Sequence, residues 1–385
     1  MSAKKYDVVV SGYLGVDLIP GFETTKLYKS VNEVFSPGKL TEIDNLQITL
    51  GGVVANTGLA LTRFDKKALL NGIVGDDFMG KIIMDKLEKH SISSAIKMTT
   101  DASTGFGIVI APPGIDRIFL ESPGCNAAFG LKDIDYEKLS QSRIFHFGYP
   151  PLLKQFFIND GADLQTLFSE AQQLGIITSL DLSLPDAGSA SGACDWPGIM
   201  LRVLPATDIF VPSAEELLYI MMPSLYRDIS NEAGDENIID FIPLDVIRQI
   251  GRKIINLGVS VLMIKMAHRG VYLLTGDVSA IKNKGDLNLS EAEWSHAELH
   301  CKAYLADLKK FKNASGAGDT AVAAFLSALL DGTNPALALK YTTLAGRNTL
   351  YSDDIYAELD DWQSMTNEIA ADVSDPVSYL SSVLI

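Results

Sequence analysis

The sequence predicts an α/β fold in which a mostly parallel central sheet is flanked by helices on both faces. Strand-like apolar runs alternate with helical patterns over most of the 385 residues, and parallel strands need crossover connections of this kind. Hydrophobic residues make up 47% of the chain and charged residues 21%, which is typical of a globular protein. A chain of this length buries a large core, in one large domain or two smaller ones.

The predicted elements follow one another in a regular order. In chain order the predicted strands are 7–11, 67–74, 143–147, 176–180, 208–211, 261–265 and 271–274, and the clearest helices are 52–63 and 78–90. The short strand runs are continuously apolar, as expected for strands that are buried on both faces. The turn 267–270 separates the last two strands, and helical patterns separate most of the others.

Two stretches interrupt this order, at residues 14–49 and 104–121. In the second, residues 105–111 are followed by a Pro-Pro-Gly turn and then by 117–121, which is a hairpin pattern. Residues 223–242 and 276–312 are polar and irregular, which predicts surface insertions. The end of the chain, from about residue 353, is acidic and is predicted to be helical in part.

A motif with the sequence NASGAGDT, at residues 313–320, precedes an apolar helical stretch at 321–330. Small residues let the main chain approach a ligand closely, and the first N–H groups of a helix have no acceptor within the helix. Together with the helix dipole, these donors favour an anion just ahead of the helix. Asp319 then lies where an acceptor hydroxyl is deprotonated as a phosphate arrives. The alternative is an ordinary helix start with an acidic cap.

A second motif, LGGVVANTGLAL at residues 50–61, leads from a Gly-Gly turn into a helix of small residues. It has neither the spacing of a dinucleotide fingerprint nor that of a P-loop. Gly51 and Gly52 permit a polyol to approach the backbone, and Asn56 offers both a donor and an acceptor to hydroxyl groups. The alternative is a tight turn with an Asn that faces solvent.

Together the two motifs resemble the two signatures of the ribokinase-like (PfkB) carbohydrate kinase family. They occur in the family's order, about 260 residues apart, and the resemblance extends from residue 8 to about 348. It implies a three-layer α/β sandwich in which ATP and a sugar meet at one edge of the sheet. It also implies one kinase domain over residues 1–385, with segments 14–49 and 104–121 inserted as a small β-sheet lid. Lid strands in this family often pair between subunits, which makes a homodimer through the lid possible.

The resemblance assigns roles to the residues of both motifs. Asp319 becomes the general base, and the backbone of Gly316, Ala317 and Gly318 becomes the anion hole for the phosphoryl group. The sugar site is implied to contain, besides Gly51 and Gly52, the residues Asp17, Gly38 and Asn56. A carboxylate such as Asp17 is able to hold two neighbouring hydroxyls. The alternative for Asp17 is a turn or cap residue.

Mg²⁺ and the nucleotide are implied to contact residues outside the two motifs. The family's Asn-x-x-Glu motif corresponds to residues 213–216, so Glu216 matches as the carboxylate near Mg²⁺ while Ser213 replaces the Asn. A solvent-exposed glutamate in a first helical turn is the alternative for Glu216. Lys265 and Gly270 align with the nucleotide-binding strand and turn, although lysines at strand ends more often leave for solvent. Asn348 is placed beside the adenine.

One departure from the family pattern concerns a monovalent cation. The family often has Asp-Thr ahead of the Gly-Ala-Gly-Asp core, where the Asp helps to coordinate the cation. This chain has Asn313-Ala314 at these positions. A neutral Asn does not supply the same charge, so the substitution argues against activation by K⁺.

Composition limits the classes of partner and compartment. The formal net charge is −16, which argues against nucleic acid and anionic membranes as partners, because these call for a basic surface. The three cysteines are scattered and have no metal-ligand spacing, which suits a reducing compartment. No signal peptide is expected, and no apolar stretch approaches the ~20 residues that span a bilayer. The expectation is a cytoplasmic protein.

The leading functional hypothesis is an ATP-dependent kinase, with ATP and Mg²⁺, that phosphorylates a hydroxyl of a sugar or sugar derivative. A nucleoside kinase of the same fold is the nearest alternative, and an aromatic residue of the lid that stacks on a base would favour it. A second alternative is a catalytically silent sugar-binding or regulatory protein, favoured by the altered Asn313-Ala314 and Ser213 positions. The retained Asp319 and glycine-rich backbone favour the enzyme.

Overall fold

A nine-stranded sheet forms the centre of the molecule. The computed structural model describes residues 4–23, 27–115 and 118–380. Within them the strands are β1 (Tyr6–Gly12), β2 (Gly15–Pro20), β3 (Leu46–Gly51), β4 (Ala68–Asn71), β5 (Ile73–Gly75), β6 (Lys97–Thr99), β7 (Gly105–Ile110), β8 (Ile118–Ser122), β9 (Ser142–Gly148), β10 (Ile177–Asp181), β11 (Ile209–Phe210), β12 (Val261–Lys265), β13 (Val271–Thr275), β14 (Glu298–Cys301) and β15 (Val377–Tyr379). The order in the large sheet is β15-β14-β13-β12-β11-β10-β9-β1-β4.

Most neighbouring strands of this sheet are parallel. Six adjacent strands of this sheet pair in parallel, in the order β4, β1, β9, β10, β11 and β12. Strands β13, β14 and β15 are added in antiparallel orientation at one edge. Along β1, Val8 and Val10 pack into one core cluster and Val9 packs into another. Alternate side chains therefore enter the two faces of the sheet, which explains why such strands are apolar throughout.

Helices cover both faces, as the alternation of elements predicted. In chain order they are α1 (Val31–Val34), α2 (Gly52–Arg63), α3 (Phe78–Lys89), α4 (Tyr136–Ser140), α5 (Lys154–Phe157), α6 (Ala162–Gln173), α7 (Trp196–Val203), α8 (Ala214–Met221), α9 (Pro223–Ala233), α10 (Leu244–Asn256), α11 (Ser279–Lys284), α12 (Glu291–Trp294), α13 (Ala317–Leu330), α14 (Pro335–Thr349), α15 (Ile355–Glu358) and α16 (Trp362–Ala371). Helices α2, α13 and α14 contribute to one core cluster, and α6, α7, α8 and α10 to the other. The predicted three-layer sandwich is confirmed.

A small four-stranded sheet, in the order β3-β2-β7-β8, stands apart from the large one. Its strands come from the two stretches that interrupt the alternation. The predicted hairpin is present as antiparallel β7 and β8, although Arg117 of the predicted second strand lies outside the described residues. Strand β2 is antiparallel to β3 and parallel to β7, and this register places Asp17 opposite Thr49 on one side and Gly107 on the other.

Three segments differ from the sequence prediction. Residues 276–312 are not only surface insertion, because β14 pairs with β13 and Leu299 and Cys301 are fully buried there. Residues 223–242 contain α9, which buries Ile229 and Ala233. The predicted strand 67–74 is interrupted at Gly72, after which β5 pairs with β6 in a separate two-stranded sheet. The first two segments are mainly polar, so their short buried faces are hard to recognise by periodicity.

The carboxyl ends of the parallel strands meet at one edge of the large sheet. Strand β9 ends at Gly148, β10 at Asp181 and β12 at Lys265. In open α/β sheets, ligands bind outside the carboxyl ends of the strands. In the described part of the chain, no helix is both long enough and apolar enough to cross a membrane.

Candidate active site

The start of α13 presents unpaired backbone donors. Gly316 precedes the helix with φ 72°, a left-handed conformation that favours glycine. A Cβ added there would lie 2.8 Å from Ile355 Cδ1 and 3.1 Å from Asn56 Cγ. In the described residues the amides of Gly316 and Gly318 make no backbone hydrogen bond, and the first regular contact is that of the Thr320 amide with the Gly316 carbonyl at 2.8 Å. The arrangement fits an anion at the helix start.

Asp319 lies in the first turn of α13 and is 3% exposed. Asn56 Nδ2 donates to its Oδ2 at 2.9 Å, and the Tyr149 hydroxyl lies 2.8 Å from both carboxylate oxygens. Burial raises the pKa of Asp319, while Lys265 and the hydrogen bonds from Asn56 and Tyr149 act in the opposite direction. The two sequence motifs thus meet at Asp319, which accepts hydrogen bonds from Asn56 and, on its carbonyl oxygen, from the Thr57 hydroxyl at 3.4 Å. Asn56 therefore does not face solvent.

Gly51 and Gly52 bring the start of α2 against the small sheet. Gly52 has φ 83°, and a Cβ on it would lie 2.5 Å from the Tyr13 carbonyl oxygen. A Cβ on Gly51 would lie 2.4 Å from Asp17 Oδ1. The space left by the two glycines is therefore occupied by Tyr13 and Asp17, and the role of the glycines towards a sugar stays a prediction.

Asp17 points from β2 towards the loop that precedes α13. Ser315 Oγ donates to Asp17 Oδ2 at 3.2 Å. Burial raises the pKa of Asp17 to about 6, and the neighbouring charge of Asp319 adds to this increase. Across the small sheet, Gly107 separates Asp17 from Glu121, which accepts a hydrogen bond from the Tyr13 hydroxyl. Asp17 is therefore a carboxyl group held next to the loop that precedes α13.

A buried ion pair lies on the other side of Asp319. Lys265 Nζ contacts both oxygens of Asp181 at 2.7 and 2.8 Å, and Asp181 is fully buried. Burial alone would lower the pKa of Lys265, but the charges of Asp181, Glu216 and Asp319 raise it above its ordinary value. A Cβ on Gly318 would lie 3.8 Å from Lys265 Nζ. Lys265 is therefore directed towards the start of α13 and not towards solvent.

Glu216 lies in the first turn of α8, close to this ion pair. Its Oε2 accepts from the Ser213 amide at 2.7 Å, and Ser213 Oγ accepts from the Glu216 amide at 3.2 Å, which is a capping box. Burial raises the pKa of Glu216, although Lys265 and the contacts with Ser213 oppose this. No group of three or more His, Cys, Asp or Glu side chains in the described residues is arranged to hold a metal. The donor set therefore fits Mg²⁺ only where most ligands are phosphate and water oxygens.

The structure gives the surroundings of three other predicted site residues, whose roles in the site stay predictions. Asn348 donates to Asp360 Oδ2 at 2.8 Å and accepts from Arg347 Nε at 2.7 Å, so its amide is already used within the fold. Gly270 has φ 91°, and a Cβ on it would lie 2.0 Å from the Cys301 carbonyl oxygen, so a packing requirement accounts for this glycine. Gly38 is exposed, with no atom within 4 Å of an added Cβ.

Two residues that no motif indicated, Tyr149 and Asp181, belong to the same cluster. Both directly follow the apolar core of a predicted strand, Tyr149 one residue after β9 and Asp181 as the last residue of β10. Because parallel strands end at the ligand-binding edge, this position was a usable signal. A cavity lies beside Asn56 and Ser315, next to the small sheet, and is lined also by Thr49, Leu50 and Ile355.

Comparison of the sequence with known proteins shows which proteins this chain is similar to. The chain matches the model of the pfkB family carbohydrate kinases over residues 24–350. It is 22% identical over 151 residues to probable fructokinase-5 of Arabidopsis thaliana, over 38% of this chain and 43% of that protein. It is 20% identical over 219 residues to an uncharacterized sugar kinase of Archaeoglobus fulgidus, over 57% of this chain and 74% of that protein. The chain thus spans less than half the length of the first of these relatives.

Solved structures of similar fold cover nearly the whole chain. Arabidopsis thaliana ribokinase complexed with ribose and ATP has a TM-score of 0.66 and 19% identity, over 94% of this chain and 98% of that one. A putative ribokinase II from E. coli in complex with ATP and Mg²⁺ has a TM-score of 0.67 and 16% identity, over 95% of this chain and 100% of that one. At such identities the similarity establishes a ribokinase-like fold.

Proposed function

Because the chain belongs to the pfkB family of carbohydrate kinases, we propose that it transfers the γ-phosphoryl group of ATP to a hydroxyl of a sugar or sugar derivative. One observation carries the proposal. The Asp319 carboxylate is buried in the first turn of α13, next to free amides, and is held by Asn56 and Tyr149. A base and an anion-binding backbone thus lie within one helical turn.

In this proposal Asp319 accepts the proton of the acceptor hydroxyl as its oxygen forms a bond to phosphorus and the bond to the leaving ADP breaks. The amides of Gly316, Ala317 and Gly318 hold the oxygens of the group in transfer. Phosphoryl transfer requires mainly positioning and charge stabilisation from the protein. Asp17 holds neighbouring hydroxyls of the acceptor, and its contact with Ser315 Oγ couples the acceptor site to the anion-binding loop.

ATP would supply the phosphoryl group, and Mg²⁺ would neutralise part of the phosphate charge. Glu216 is the carboxylate proposed to face Mg²⁺ through water, and Lys265, directed at Gly318, is proposed to face the phosphates. The small sheet, with segments 14–49 and 104–121 of a single domain, is proposed to act as a lid that keeps water from the reacting groups. Gly38, Gly270 and Asn348 carry no step of this mechanism.

The proposal is tested by measuring ADP release from Mg-ATP with a panel of sugars, polyols and nucleosides. We expect ADP release that depends on at least one sugar or polyol. In Asp319→Asn we expect kcat to fall by about 10²- to 10⁴-fold, the usual contribution of a general base. Asp331→Asn, at the other end of α13, is the matched control and retains wild-type kcat.

The other outcomes distinguish the alternatives. Turnover with nucleosides but with no sugar would replace the proposed acceptor class with a nucleoside. Absence of acceptor-dependent ADP from the whole panel would favour a catalytically silent binding protein. Equal rates for wild type and Asp319→Asn would exclude Asp319 as the base.

A further inference from the structure

Tyr149 contacts the carboxylate of Asp319 on both of its oxygens. The hydroxyl lies 2.8 Å from Oδ1 and 2.8 Å from Oδ2, and neither family motif contains this tyrosine. We propose that Tyr149 is a positioning residue for the base: its hydroxyl fixes the orientation of the Asp319 carboxylate and keeps it ready to receive the proton of the acceptor. This inference rests on the proposed kinase function, in which Asp319 is the base.

The local fold directs Tyr149 to this contact. Tyr149 has φ 64° and ψ 41°, a left-handed conformation that costs free energy in residues other than glycine. It is held between the end of β9 and the Pro150-Pro151 turn. A Cβ on Gly148 would lie 2.5 Å from Val53 Cγ2, so the turn packs against α2. Strained residues of this kind persist where the surroundings fix them, and they are frequent at functional sites.

The two oxygens of Asp319 differ in their number of hydrogen-bond donors. Each carboxylate oxygen accepts about two hydrogen bonds. Oδ2 receives Asn56 Nδ2 and the Tyr149 hydroxyl, whereas the structure gives Oδ1 only the Tyr149 hydroxyl among the described residues. Oδ1 therefore keeps the capacity for a second hydrogen bond while Tyr149 stays in place. Tyr149 is therefore able to position the carboxylate without being displaced when a substrate hydroxyl binds to Oδ1.

The proton state of Asp319 is set by several neighbours. Burial raises the pKa of Asp319, and a hydroxyl that donates to the carboxylate favours its charged form. The titratable groups that act on Asp319 or Tyr149 from the packed elements are Asp17 in β2, Tyr149 after β9, Asp181 at the end of β10, Glu216 in α8 and Lys265 at the end of β12. Three of these groups are carboxyls, whose negative charges disfavour the ionised form of Asp319. Loss of the Tyr149 hydroxyl as a donor would therefore make the Asp319 carboxylate less stable.

The first test is the pH dependence of kcat in Tyr149→Phe. We expect the acid limb of kcat to move to higher pH and kcat at pH 7 to fall about tenfold, while KM for ATP stays within about twofold. The matched control is Tyr272→Phe, because Tyr272 makes the same kind of bond, to Glu298 at 2.8 Å, and packs against Gly251 of α10. A Tyr149→Phe profile that keeps the wild-type acid limb would overturn the proposal.

The second test does not require turnover and measures melting temperature between pH 5 and 8. The pKa of a buried carboxyl group such as Asp319 is higher in the folded than in the unfolded protein. The free energy of unfolding therefore falls as pH rises from the unfolded-state pKa through the folded-state pKa. Tyr149→Phe raises the folded pKa of Asp319 further, so we expect its melting deficit relative to wild type to grow with pH. Burial tends to raise the pKa of Glu298, but Arg248 holds it below its ordinary value, so the Tyr272→Phe deficit should stay constant.

The two tests separate this inference from the proposed function. If wild type phosphorylates no acceptor, the kinase proposal fails, while the melting curves still decide whether Tyr149 stabilises ionised Asp319. A melting deficit of Tyr149→Phe that does not change with pH contradicts the inference. A circular dichroism spectrum equal to that of wild type checks that the variant is folded.

Discussion

At the residue scale, the cleft collects carboxyl groups in a protein that is already acidic. Burial raises the pKa of Asp17 to about 6 and that of Asp181 to about 7. Lys265 pairs with Asp181, and its charge also acts on Asp319. In the proposed function a nucleotide brings further negative charge, which the amides at the start of α13 and Mg²⁺ would have to compensate locally.

We expect acceptor binding to depend on pH through Asp17. Below pH 6 Asp17 is mostly protonated and accepts hydroxyl hydrogen bonds poorly, whereas above pH 6 it is mostly ionised. KM for the acceptor should therefore rise as pH falls through about 6. Hydrogen bonds to a charged group contribute about 1.5–3 kcal/mol, so Asp17→Asn should raise KM by roughly tenfold to a hundredfold. Steady-state kinetics from pH 5 to 8 measure both effects.

The control for this prediction is Asp7→Asn. Asp7 lies near the amino end of β1, at the opposite edge of the sheet, and pairs with Arg143 at 3.4 Å. Its substitution should leave KM for the acceptor unchanged. A KM for Asp17→Asn equal to that of wild type at all pH values would remove Asp17 from the acceptor site.

Sequence patterns identified part of the cleft but not all of it. Asp319 and Asn56 were found because each lies in a motif, and the structure joins them by one hydrogen bond. The strand pattern had located β9 and β10, yet Tyr149 and Asp181 were missed. Their contribution depends on which strands are neighbours in the sheet, and strand order is a long-range property that a local pattern does not contain.

At the element scale, protein groups tie the loop before α13 to the loop after α14. Lys312 Nζ lies 3.0 Å from Asp353 Oδ2 and 2.9 Å from Glu358 Oε2. Asn313 Nδ2 donates to the Ser352 carbonyl at 3.0 Å, and its Oδ1 accepts from the Ser315 amide at 2.9 Å. An ammonium group of the protein therefore already pairs with the carboxylates of Asp353 and Glu358.

We accordingly expect activity without K⁺. ADP release in buffers that contain K⁺ or tetramethylammonium at equal ionic strength should agree within about twofold. Lys312→Met removes the ammonium group and should lower kcat, with partial recovery when K⁺ is added. Stimulation of the wild type by K⁺ of about tenfold or more, equivalent to about 1.4 kcal/mol, would contradict this prediction.

The sequence predicted the bounds of helices and strands well where a long run of residues is buried. It missed elements in which only a few residues are buried. Helix α2 and strand β12 have the predicted bounds, Gly52–Arg63 and Val261–Lys265, because each carries a long apolar pattern. Strand β14 has the sequence ELHC, and its burial follows from pairing with β13 on one side and β15 on the other. Such a strand is defined by its neighbours more than by its own residues.

At the scale of the whole molecule, one row of the small sheet is apolar. Strand register aligns Ile48, Leu18, Ile108 and Leu120 across the four strands, next to the row that contains Asp17. Ile48 is 40% and Leu120 51% exposed. Apolar side chains exposed on a sheet favour association. From this pattern we propose that the chain forms a homodimer through the small sheet, as the family resemblance implied.

Light scattering tests the homodimer. We expect the wild type to have twice the chain mass and Leu120→Lys to shift towards the monomer, because a charge in an apolar interface is costly. Leu201→Lys, a 54% exposed leucine on α7, is the matched control and should keep the wild-type mass. A monomeric wild type at micromolar concentration would rule out the dimer.

The most direct test of the central claim is a crystal structure with an accepted sugar and a non-hydrolysable ATP analogue. The account predicts that an acceptor hydroxyl lies about 2.6–3.2 Å from an Asp319 oxygen, with the terminal phosphate in contact with the amides of residues 316–318. A complex in which the hydroxyl faces another carboxylate, or the phosphate lies away from the start of α13, would contradict it.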